Sequence, residues 1–326
     1  MLNRHFFRAK ALQALYAYQV SNSSDILDAE KKLLVSLEKL SNLQVYLFSA
    51  ILEIRSIAIE QIEEAKQKYY PSEEELNPSL RFVENKMLSQ LVDNADLTRE
   101  IVRLKVNWSD SREVIKNIFT KFKNSESYKN YINSQEESYD ADKLLIVQLF
   151  KNYIIKNEQL YDIICELELN WECDYEILTQ YLIKYLKDFK EEDNTLKRLL
   201  KVFDDSKEDL GLETDKEFLL KIFRKTVEKN VDLEQMIEKR IQNWEVERLA
   251  ILDILIIKMG LVELMYCPTI PIRVTLNEYI ELSKEFSTEK SKLFVNGLLD
   301  KLVVDLRSLG KIKKIDQGIE VLEGYE

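Results

Sequence analysis

Six glycines and four prolines are spread over 326 residues, and that scarcity limits the possible architectures more than any other property of the chain. Hairpin turns and the corners of β structure draw on residues that tolerate positive φ or fix φ. With 45% hydrophobic and 32% charged residues, the composition instead implies an all-α protein, long enough for a sizeable core and, by length, for two domains. In Asp28–Gln67, the residues Leu33, Leu37, Leu40, Leu47, Ile51, Ile54 and Ala58 lie near one helical face, which reads as one long helix or two shorter ones. Pro71 and Pro78 then frame an acidic run, Ser72 to Glu75, expected as a loop or the start of the next helix. Leu249–Met265 is the most apolar segment, but Asp253, Lys258 and Glu263 interrupt it. It is therefore expected as a buried helix of a bundle and not as a membrane span.

The net charge of −11 argues against broad, nonspecific nucleic-acid binding, which needs a basic footprint, and leaves room only for a local site. Cys165, Cys173 and Cys267 match no zinc spacing, and His5 is the one histidine, so no metal set is expected. The thiols are expected to be reduced, in a cytoplasmic protein. Gln13, Tyr16 and Gln19 break the apolar run that a secretory signal would require. Neither G-x-x-x-x-G-K nor G-x-G-x-x-G occurs, and a single histidine near one end cannot anchor a triad. Neither enzymatic activity nor a cofactor is expected.

The stretch Ile270–Leu302 is the most informative. Pro268 and Pro271 give an extended entry; Thr275 and Glu278 have capping-box spacing, and Leu276, Tyr279, Ile280 and Ser283 form an inward face. A polar turn at Ser287, Thr288 and Glu289 caps a second helix whose core face is Val295, Leu298, Leu299, Leu302 and Leu306. Beside that face Lys290, Phe294, Gly297 and Lys301 form a stripe. A ring between two ammonium groups suits a stacked base with its phosphates; the same spacing also suits the rim of a core with solvated lysines. In the first helix, about Asn3 to Val20, the residues Phe7, Ala11, Ala14 and Tyr18 form the apolar face. His5, Arg8, Leu12, Tyr16 and Gln19 form a mixed stripe, which fits either RNA or an ordinary amphipathic helix with a basic end.

Three segments carry a resemblance. Pro271-x-x-Val274-x-x-Asn277-Glu278, Glu281-Leu282-x-Lys284-x-Phe286 and Ser291-x-x-Phe294-Val295-Asn296-Gly297-x-Leu299-Asp300 closely resemble the C-terminal signature of the NusB family, small all-helical bacterial transcription antitermination factors. Arg4-x-x-x-Arg8 with Ala11-Leu12-Gln13-Ala14-Leu15-Tyr16-x-x-Gln19 looks like the family's first helix, and Asn243-Trp244 with Arg248 and Asp253 looks like its middle segment. The resemblance implies a factor that binds boxA-type RNA of ribosomal RNA leader transcripts together with the ribosomal protein NusE, within an RNA polymerase antitermination complex and away from membranes. It implies an RNA site in which Arg4, Arg8 and Lys10 neutralise phosphates, with Gln19 on the same helix. Tyr16 and Phe294 would stack bases, and Asn296, with Lys290, Lys292 and Lys301 near it, would orient the strand. The basic N-terminus is thinner than in many relatives. The alternative is a protein–protein adaptor without RNA binding, acting on NusE, RNA polymerase or ribosome assembly.

The expected division is residues 1–20 as the first helix of a NusB-like core, 21–213 as an elongated helical insertion, 214–307 as the remaining core and 308–326 as a flexible tail. Asn-Trp occurs at Asn107-Trp108, Asn170-Trp171 and Asn243-Trp244. Counted back from each Trp without gaps, Asn94, Asn157 and Asn230 share one position, Leu97, Leu160 and Leu233 a second, and Ile101, Ile164 and Ile237 a third. The insertion therefore reads as a partial repeat of the middle segment, in units that must stack to bury their apolar faces; a chance match between Leu- and Ile-rich helices is the alternative. The polar stretches 124–142 and 187–193 are expected to be solvated connectors.

Overall fold

A computed structural model of the chain describes residues 3–21, 24–70, 72–135, 137–168, 170–192, 213–241 and 250–314. The described residues are helical and contain no strand. The chain divides into two compact units, Ser36–Val202 and Leu2–Val35 with Phe203–Glu326.

The first unit is built along most of helix α2 (Ile26–Lys66), a single helix of 41 residues whose Leu37, Leu40, Leu47, Ile51 and Ile54 are fully buried. The acidic run after Pro71 contains the short α3 (Glu73–Leu76). Helices α4 (Lys86–Val92), α5 (Ala95–Leu104) and α6 (Arg112–Lys123) form one Asn-Trp unit. Helices α8 (Tyr139–Leu149, continued as a π turn over Phe150–Ile154), α9 (Glu158–Leu167) and α10 (Asn170–Lys187) form a second. The shared residues do the same work in both. Asn94 accepts the Leu97 N–H at 2.9 Å and Asn157 the Leu160 N–H at 2.8 Å, so each is a side-chain N-cap. Leu97 and Leu160 are fully buried beneath these caps. Trp108 donates to Ser49 Oγ at 3.0 Å and Trp171 to the Lys39 carbonyl at 2.9 Å. Their rings pack at 6.1 and 5.4 Å from the ring of Tyr46, so the two units share one aromatic anchor on α2.

The stretch 124–142 is not a simple connector. It contains α7 (Glu126–Asn133), and Tyr131 of that helix donates to Asp142 at 2.7 Å inside the fold. Asp142 also accepts the Lys86 N–H at 2.8 Å, and Asn85 donates to the Asp142 carbonyl at 3.1 Å. Polar residues that look solvated in a one-dimensional reading here satisfy one another. In 187–193, likewise, Phe189 is buried.

The second unit surrounds α13 (Ile251–Tyr266), which packs against α1 (Arg4–Val20), α11 (Asp215–Glu228), α12 (Asn230–Glu238), α14 (Ile272–Phe286) and α15 (Glu289–Ser308). Helix α1 lies on α11, α13 and α14, while α15 lies on α13 and α14. Burial on several sides explains why α13 is apolar nearly all round. Its three charged residues are buried with it: Asp253, Lys258 and Glu263 are 4%, 1% and 0% exposed. Gly260 permits the close approach of α15, since a Cβ there would meet Leu299 Cδ2 at 3.1 Å. In the third Asn-Trp unit, α11–α12–α13, Leu233 is again fully buried. Asn230 departs from the pattern: instead of capping a helix, its Oδ1 accepts the Lys258 ammonium at 2.6 Å. Trp244 and its neighbours 242–249 lie outside the described residues. Of the expected flexible tail 308–326, residues 315–326 also lie outside them, whereas Ser308 ends α15 and Lys314 donates to the Glu263 and Cys267 carbonyls at 3.0 and 2.9 Å, so the described part is held on the fold.

Candidate nucleic-acid interface

Helix α1 starts where Asn3 accepts the Phe6 N–H at 3.0 Å, and from Phe6 to Leu12 every residue is buried. This corrects the amphipathic reading, because neighbouring helices cover the basic side as well as the apolar one. Arg8 is 2% exposed and forms a two-pronged pair with Glu263 of α13, Nε and Nη2 each donating at 2.8 Å. Its third nitrogen donates to Glu278 of α14 at 3.1 Å. Tyr279 donates to the same Glu263 at 3.1 Å, and burial, followed by the charge of Glu263, pushes the Tyr279 phenol well above its ordinary value. Arg8 is thus a structural cation whose planar fork matches one buried carboxylate. Lys10, 3% exposed, places its ammonium 5.8 Å from the Phe6 ring centroid. Arg4 is one-quarter exposed but pairs with Glu213 and Asp215 at 3.3 and 3.4 Å and lies 4.6 Å from the Phe218 ring centroid. The basic cluster expected to meet phosphates is therefore largely taken up by the fold. The sequence signal was present in Glu263, which a buried helix would not carry without a partner.

The outward residues of α1 and α15 are different. Tyr16 is 41% exposed and Gln19 is exposed. On α15 the core face is as expected, with Val295 and Leu299 fully buried and Leu298, Leu302 and Leu306 nearly so, and Thr288 caps the helix by accepting the Ser291 N–H at 3.2 Å. Turned outward beside it are Lys290, Gly297 and Lys301, all exposed, with Phe294, Asn296 and Lys292 half-buried. Open space surrounds Gly297, so no internal neighbour requires a glycine there. Pro271 stands at the N-cap of α14, and the Thr275 hydroxyl bonds back to the Pro271 carbonyl at 3.4 Å. The helix thus starts one turn earlier than the capping-box spacing suggests, because Pro at the boundary already presets φ.

Helix α14 adds an electrostatic feature that the sequence reading missed. Glu278, Glu281 and Glu285 line one side of it, and His5 bridges Glu278 at 2.9 Å and Glu285 at 3.1 Å. The hydrogen bond to Glu285 raises the His5 pKa above its ordinary value, burial opposes the rise, and Glu278 adds to it. Lys284 pairs with Glu281, whose carboxyl is held low by that bond and, more weakly, by Lys292 and His5. Lys292 is thus already under the influence of a carboxylate, whereas Lys290 and Lys301 have no ion pair among the described residues. No group of His, Cys, Asp and Glu able to hold a metal occurs among the described residues, and no described helix is long and apolar enough to cross a membrane.

Residues 172–303 match the model of the NusB family. The chain is 36% identical over 104 residues to the transcription antitermination protein NusB of Chloroherpeton thalassium, covering 32% of this chain and 49% of that protein. It is 34% identical over 104 residues to the NusB of Salinibacter ruber, covering 32% and 65%. It is 43% identical over 75 residues to that of Myxococcus xanthus, covering 23% and 54%. The matched region thus spans about half to two thirds of those relatives. The family match begins inside α10, within the segment assigned to the insertion on sequence grounds. No solved structure matches significantly.

Proposed function

We propose that this chain, which carries a NusB-family domain over residues 172–303, is a transcription antitermination factor that binds boxA-type RNA of ribosomal RNA leader transcripts together with NusE. The observation that carries this reading is the outward stripe Lys290–Phe294–Gly297–Lys301 on α15, two cations with no ion pair among the described residues flanking a half-buried ring and an open glycine, inside the region that matches the family. Lys290 and Lys301 hold phosphates, Phe294 stacks a base, and Asn296 donates and accepts at a base edge. Tyr16 and Gln19 are the groups of α1 that remain exposed for the strand. Arg8 acts indirectly, by fixing α1 on α13 and α14.

A filter-binding comparison tests the assignment of α15. Lys290→Glu combined with Lys301→Glu should lower affinity for a boxA-type RNA about tenfold or more, because two phosphate contacts become repulsions. Equal affinity of the folded variant would move the site elsewhere.

A second reading, an adaptor that joins NusE, RNA polymerase or an assembling ribosome without touching RNA, is favoured by the burial of Arg8 and Lys10 in a chain of net charge −11. The absence of salt-sensitive RNA binding, with NusE binding retained, would select it.

A further inference from the structure

Within the unit that contains α12, α13 and α15, a groove of about 870 Å³ is lined by those helices and by Leu309, Gly310, Lys311 and Lys313. It shares no residue with the stripe on α15 described above. The apolar part of its lining is aliphatic and thioether, from Leu233, Met236, Met265, Leu302 and Leu306, and Tyr266 is the one aromatic ring in it. Lys229, Lys239, Lys311 and Lys313 stand round this lining with two carboxylates, Asp232 and Asp305. Both carboxylates have a cation of their own: Asp232 lies 3.5 Å from Lys229, and Asp305 pairs with Arg240. Lys239, Lys311 and Lys313 are exposed and have no ion pair among the described residues.

The cations after α15 are held in place. Gly310 takes φ 63, a left-handed value that suits glycine, and ends the helix while the Lys311 N–H returns to the Leu306 carbonyl at 2.9 Å. Lys314 then donates to the carbonyls of Glu263 and Cys267 at 3.0 and 2.9 Å, anchoring the segment to the end of α13. Lys311 and Lys313 are therefore presented by a segment fixed at both sides.

We propose that this groove docks an acidic, aliphatic peptide segment of a partner protein. Its leucine and isoleucine side chains lie on the Leu and Met lining, whose thioethers adapt to irregular shapes. Its carboxylates meet Lys239, Lys311 and Lys313, and an amphipathic helix laid in the groove satisfies both requirements. Peptide is favoured over nucleic acid because stacking needs rings and this lining offers one.

The test uses a labelled peptide with the sequence of residues 315–326, Ile-Asp-Gln-Gly-Ile-Glu-Val-Leu-Glu-Gly-Tyr-Glu, titrated with the full chain and followed by fluorescence anisotropy. Binding should weaken about tenfold when Lys239→Glu and Lys313→Glu are combined, and should be unchanged in the Lys290→Glu and Lys301→Glu variant. Circular dichroism confirms that each variant is folded. No binding by the full chain, or equal binding by the Lys239 and Lys313 variant, overturns the proposal. Binding by a chain cut after Lys314 but not by the full chain would assign the groove to the protein's own segment. Displacement of the peptide by boxA-type RNA would assign it to nucleic acid. Either result overturns the partner assignment.

Discussion

Truncating Arg8 to Ala leaves Glu263, fully buried on α13, without two of its hydrogen bonds. An uncompensated buried charge of this kind costs about 3–5 kcal/mol, and urea unfolding of Arg8→Ala should show a loss of that order. Arg8→Lys keeps the charge without the fork and should recover only part of it. Unchanged stability would mean that the pair is replaced by water. His5 gives a pH dependence with a definite sign. Its pKa is raised in the folded protein by Glu285 and Glu278, so its bridge stabilises fully below the ordinary value of 6.5 and is lost as pH rises through the raised value. Comparing the wild type with His5→Gln across that range should show a stability gap on the acidic side that closes on the alkaline side; a constant gap contradicts it. Phe294→Ala should weaken RNA binding by about 1–3 kcal/mol, the worth of one stacked base, with helicity unchanged. An unaltered affinity would make Phe294 a packing residue. At this scale the outward stripe of α15 was legible because helical spacing fixes which side chains share a face. Burial of Arg8 was not, since it depends on carboxylates more than two hundred residues away.

Among the elements, α13 determines the packing of its unit. Gly260→Val should lower stability by about 1–3 kcal/mol, the usual cost of overpacking, because Leu299 and Tyr279 already lie 3.1 and 3.5 Å from the position of a Cβ. A stabilised variant in thermal unfolding would show that α15 gives way easily. The first two Asn-Trp units were visible in advance since capping asparagines, buried leucines and packed tryptophans all have distinct chemistry at fixed offsets, and Trp108 and Trp171 meet on Tyr46. Helix α7 and the Asn85–Tyr131–Asp142 cluster were not visible, because polar residues reveal mutual satisfaction only after the chain has folded. The start of α14 was misplaced for a local reason: Pro271 competes with Thr275 as the boundary and wins.

At the scale of the molecule, the balance of charge decides between the two functional readings. A chain of net charge −11 repels a polyanion at long range, so RNA binding has to rest on a few local cations and must be steeply salt-dependent. NusE, a protein partner, would relieve part of that burden by adding contacts of its own. The direct test is fluorescence anisotropy of a labelled boxA-type RNA titrated with this protein, with and without NusE, at two salt concentrations. Binding should strengthen with NusE and weaken sharply with salt. No RNA binding in either condition, alongside salt-tolerant association with NusE, would contradict it and leave the adaptor reading in its place.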